Sequence, residues 1–108
     1  MASSDTAESG AACRLEAWEI TRRLLDDVGP WVCTSDLSDG ISTLLETDDI
    51  DIVMPWAALR VLRKRLPPAL REAGWRVVQW RQKRELSTSV VLSRRALGVR
   101  LDLRTVWI

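Results

Sequence analysis

After Gly74 the spacing of apolar residues changes from a helical period to one of about two, and this switch constrains the fold more than any other feature. Residues 75–81, 88–94 and 99–108 read as three strands, joined by a polar turn and then by Arg95-Ala96-Leu97-Gly98. A sheet built from such strands is apolar on one face and needs a layer of helices to cover it.

The preceding residues supply that layer. Over 11–28, Leu15, Trp18, Leu25 and Val28 form a helical stripe, which Gly29 and Pro30 should end. Residues 31–33 are a short apolar run suited to a strand. Thr34-Ser35-Asp36 should then cap a short helix carrying Leu37, Ile41, Leu44 and Leu45, with Gly40 weakening it by about 1 kcal/mol. A second strand is expected over 49–54. Pro55 suits a first helical position, and Trp56, Leu59, Leu62 and Leu66 line one face of the helix that follows. Pro67-Pro68 should break it, leaving a short helix over 68–73 that stops at Gly74. The expected fold is α+β: an α/β sandwich with a mixed sheet and helices mainly on one face. Residues 1–10 are small and polar and read as a disordered lead-in to a single domain over 11–108.

With 108 residues the chain can build one core. No apolar run approaches the ~20 residues of a membrane span, and no basic start precedes an apolar block, so a cytoplasmic protein without a membrane partner is expected. Cys13 and Cys33 are expected as free thiols. The sequence holds no His, which excludes His-ligated metal and Ser-His or Cys-His nucleophiles. Charge is divided sharply. Residues 1–54 hold 12 acids and 3 bases, whereas residues 55–108 hold 3 acids and 13 bases. Attraction between the two halves accounts for this within one fold; a cationic surface for polyphosphate or nucleic acid is the functional alternative. Trp75 and Trp80, set among those bases, would suit stacking on single-stranded nucleic acid if they are not core.

Asp49-Ile50-Asp51-Ile52-Val53-Met54 places Asp49 and Asp51 on one face of a strand, with Ile50, Ile52 and Met54 on the other. The last strand alternates likewise: Val99, Leu101, Leu103 and Trp107 against Arg100, Asp102 and Arg104. If the two strands adjoin with their cores on the same side, three carboxylates share the opposite face. Such a group suits a divalent metal and phosphate chemistry. The plain alternative is a solvated acidic turn, with Asp102 in surface ion pairs worth ~0–1 kcal/mol.

The Asp49-Ile50-Asp51-Ile52 strand, the later Leu101-Asp102-Leu103, and the serine-containing turn Val32-Cys33-Thr34-Ser35 resemble, over residues 30–108, nucleotidyltransferases of the DNA polymerase β type. Thr34 stands where that family carries glycine. The resemblance implies Mg²⁺ and NTP binding and transfer of a nucleoside monophosphate to a hydroxyl acceptor. Asp49, Asp51 and Asp102 would be the catalytic and metal-binding residues. Thr34, Ser35, Arg100 and Arg104 would meet the phosphates. The alternatives are a catalytically inactive domain of this type that binds a partner protein, and a basic nucleic-acid-binding module.

Overall fold

The computed structural model describes residues 2–38, 40–47, 49–84 and 86–106, without the side chains of 2–9, 47 and 84. The chain is α+β. Its elements in order are α1 (Ala2–Val28), β1 (Val32–Cys33), α2 (Ile41–Thr47), β2 (Ile50–Pro55), α3 (Trp56–Glu72), β3 (Arg76–Arg84), β4 (Ser87–Arg94) and β5 (Leu97–Val106). The strands form one mixed sheet in the order β1-β2-β5-β4-β3. β2 and β5 run parallel; the other neighbours are antiparallel.

Alternation decides which face is covered. Ile50, Ile52 and Met54 of β2, Val90 and Leu92 of β4, and Val99, Leu101 and Leu103 of β5 are all buried. They join Ala17, Trp18 and Leu25 of α1, Leu45 of α2 and Leu59, Leu62, Leu66 and Leu70 of α3 in one core cluster. The intervening strand residues, among them Asp51, Val53, Arg100, Asp102 and Arg104, lie on the uncovered face and are half-buried or exposed. Trp75 is fully buried in the core, whereas Trp80 only packs against it.

Several local expectations are revised. α1 begins at Ala2, so helical backbone runs through residues expected as a lead-in. Ala2, Ala7, Ala11 and Ala12 are strong helix formers, and extending an existing helix needs no new nucleus. α3 continues through Pro67 and Pro68. The pair removes two backbone donors, but Leu62, Leu66 and Leu70 on the buried face hold the helix in one piece. Pro55 is the N-cap of α3 and the last residue of β2, not a first helical residue. α2 starts only after Gly40, whose φ of 88° is left-handed. Asp36, expected as part of its cap, instead accepts the Ser38 N–H at 2.9 Å in a local turn. Leu97 and Gly98 belong to β5, leaving a two-residue hairpin turn of Arg95 and Ala96, with Arg95 at φ 56°. Trp107 and Ile108 lie outside the described residues.

Part of the charge division is resolved by the helical layer. Arg65 of α3 pairs with Asp27 of α1 at 2.8 Å. No helix among the described residues is long and apolar enough to cross a membrane.

Candidate functional site

β2 and β5 are neighbours, and both bury their apolar residues on the same side. Their parallel register sets Asp51 opposite Asp102 and Val53 opposite Arg104. Residues opposite one another across a ladder share a face, so both carboxylates stand on the uncovered side. Asp51, Asp102, Thr34 and Arg104 line a single hollow of about 330 Å³.

Each wall is fixed by backbone pairing. The Thr34 N–H donates to the Asp51 carbonyl at 2.9 Å, extending the β1–β2 ladder by a residue. Ser35 then folds back on β2, where its hydroxyl accepts the Asp51 N–H at 2.7 Å. That hydroxyl also lies 3.5 Å from the Asp51 carboxylate. On the other side, the Ser87 hydroxyl of β4 donates to Asp102 Oδ1 at 3.0 Å and orients that carboxylate. Nothing in the sequence pattern singles out Ser87, because its closeness to Asp102 depends on the β4–β5 register.

Asp49 lies two residues before Asp51, just ahead of β2, and in different company. Its Oδ1 is 3.9 Å from Arg100, and the two line an adjoining depression with Arg14 and Glu46. The ion pair is long, and the Arg100 side chain is 69% exposed, so its contribution to stability is small. Among the described residues, no group of three or more His, Cys, Asp or Glu side chains gathers to hold a metal ion. The acids instead form a level pair, Asp51 and Asp102, with Asp49 set apart beside a cation. Of the predicted phosphate contacts, Thr34 and Arg104 share the hollow with that pair. Ser35 binds the strand beneath it, and Arg100 turns to Asp49.

The pair and its basic neighbour can engage a phosphate with its counter-ion. Magnesium carried on phosphates keeps several waters and takes only one or two protein carboxylates. Asp51 and Asp102 match that donor set in number and type. No family model, curated protein or solved structure matches the chain.

Proposed function

We propose that this chain is a nucleotidyltransferase-like domain of the DNA polymerase β type, which binds a magnesium-bearing NTP at Asp51 and Asp102 and transfers its nucleoside monophosphate to a hydroxyl acceptor, the acceptor oxygen bonding to the α-phosphorus as pyrophosphate leaves. The observation that carries the reading is the level pairing of Asp51 with Asp102 across parallel strands, with Thr34 and Arg104 in the same hollow. Magnesium would neutralise the phosphoryl oxygens and make an acceptor hydroxyl more acidic.

The chain's own groups do the rest. Asp51 and Asp102 hold the metal-bearing phosphates, and Arg104 meets a phosphate oxygen through its forked donors. Asp102, kept in place by Ser87, takes the proton of the acceptor hydroxyl. Asp49 adds negative charge at the rim, and its pairing with Arg100 moderates it.

One observation favours a second reading, in which the domain keeps this architecture but acts by binding a partner protein. Thr34 carries a side chain where the resemblance calls for glycine, and the Ser35 hydroxyl is already engaged by the Asp51 N–H. Thermal shift with Mg²⁺ and each of ATP, CTP, GTP and UTP separates the two, backed by transfer of label from an α-labelled NTP. A ligand at a hundred times its Kd adds about 2.7 kcal/mol, so a functional hollow raises the melting temperature by several degrees. Asp51→Asn should abolish both the shift and the transfer. No shift with any nucleotide, or one retained in Asp51→Asn, rejects the transferase reading.

A further inference from the structure

A cavity lies on the helical side of the sheet, away from the aspartate pair. It measures about 630 Å³ and sits between the first half of α3 and strands β3 and β4. Trp56 stands on the helix and Trp80 on the edge strand, and Arg60, Arg63 and Lys64 complete its basic wall. These three cations fall at positions i, i+3 and i+4, which places them together on one face of α3. All three are exposed, and among the described residues none pairs with a carboxylate. Nor, among the described residues, does any acid line the cavity. Arg65, by contrast, turns to Asp27 of α1. The basic half of the chain is thus only partly neutralised by the acidic half, and this cavity keeps its surplus.

We infer that this cleft binds a single strand of nucleic acid, with bases against Trp56 and Trp80 and phosphates along Arg60, Arg63 and Lys64. Charge fixes the sign of the ligand, and the indoles fix its kind. Aromatic side chains beside a basic groove bind unpaired bases whatever their sequence, because every base has a π-face. A duplex keeps those faces stacked inside and offers none to the indoles. An acidic peptide would use the cations but has no flat π-face to stack on the exposed parts of the two indoles. The basic lining among the described residues also distinguishes the cleft from the Asp51–Asp102 hollow, where a metal-bearing triphosphate is expected. Binding here is independent of that reading and needs neither Mg²⁺ nor NTP.

Fluorescence anisotropy with labelled ten-nucleotide oligouridylate and oligothymidylate, without metal, tests the inference. Saturable binding is expected, with log affinity falling against log salt at a slope of about −2 for three phosphate contacts. Arg63→Glu/Lys64→Glu should weaken binding at least tenfold and flatten the slope. The charge-matched control Arg23→Glu/Arg95→Glu, on exposed positions outside the cleft, should retain most of the affinity. Trp80→Leu preserves an apolar contact with the core and should lose about tenfold for either oligonucleotide while leaving binding of an inorganic polyphosphate unchanged. Comparing the RNA and DNA strands shows which of the two is preferred. The inference is overturned by absence of binding, by equal loss in the charge-matched control, by no loss in Trp80→Leu, or by a mononucleotide competing as tightly as the ten-mer.

Discussion

Asp51 and Asp102 face each other at the same level of neighbouring parallel strands, although fifty residues and three secondary-structure elements separate them in the chain. Like charges opposite each other across a ladder cost about 0.2–1 kcal/mol unless a cation lies between them. Asp102→Asn removes this repulsion and keeps an oxygen to accept the Ser87 hydroxyl. The variant should therefore melt a few degrees higher than the wild type in chelator. Added Mg²⁺ should stabilise the wild type and not the variant. Equal melting temperatures in chelator would mean that the two charges do not oppose each other.

Ser35 should be a structural residue whatever the hollow binds. Its hydroxyl accepts the Asp51 N–H at 2.7 Å and closes the junction between β1 and β2. Ser35→Ala leaves that amide without its acceptor at a half-buried site, at a cost of about 1–2 kcal/mol. Urea denaturation measures the loss, and hydrogen exchange at the Asp51 amide should accelerate more than at the Ile52 amide.

The facing of the acids was legible because a strand alternates with a period of two: Asp51 and Asp102 had to oppose Ile50, Ile52, Leu101 and Leu103. That β2 would lie beside β5 was not, since β3 and β4 intervene in sequence and only the assembled sheet closes the pair. Local rules failed where distant packing outweighed them. Pro67-Pro68 reads as a break, yet buried leucines on either side of it keep α3 whole. Asp36 reads as a helix cap, yet Gly40 in a left-handed turn delays α2 until Ile41. Trp80 was legible as a stacking candidate among bases; that Arg60, Arg63 and Lys64 would be the bases beside it was not, because β3 reaches α3 only through the tertiary fold.

Pro67 and Pro68 make the continuity of α3 testable. Pro68 is exposed, and as proline it denies the Lys64 carbonyl its helical donor. Replacement by alanine restores that bond, and the interior propensity difference is about 3 kcal/mol. Freer motion of the unfolded chain offsets about 0.4–1 kcal/mol of this. Pro68→Ala should be more stable by about 2 kcal/mol or slightly more in denaturant titration, with unchanged or greater helical circular dichroism. A loss of stability would show that α3 depends on the interruption.

Glu19 gives α1 a defined acid sensitivity. The Arg22 guanidinium donates to it at 2.7 and 3.2 Å, and this hydrogen bond holds its carboxyl below the ordinary range. A carboxyl depressed in the fold contributes stability that is fully present above its unfolded value, about 4.3, and is lost as pH falls through the lower folded value. The contribution should be flat between pH 6 and 8, which lies well above the glutamate range and well below that of the Arg22 guanidinium. Carbon-detected NMR titration of the Glu19 carboxyl should give a midpoint below the ordinary glutamate range, and Arg22→Met should return it upward.

Trp75 is fully buried, and its indole Nε1 has no hydrogen-bond partner among the described residues. A buried donor left unsatisfied costs about 1–3 kcal/mol. Trp75→Phe removes that donor together with part of the ring volume, so relief of the first offsets the cavity left by the second. The net change should lie within about 1 kcal/mol of zero. Trp75→Ala, which empties the site, should cost about 3–5 kcal/mol. Urea titration of the two variants distinguishes this from a satisfied indole, for which Trp75→Phe would itself lose several kcal/mol. Because Trp75 lies in the core and outside the Trp56–Trp80 cleft, a folded Trp75→Phe protein should bind oligonucleotide as the wild type does.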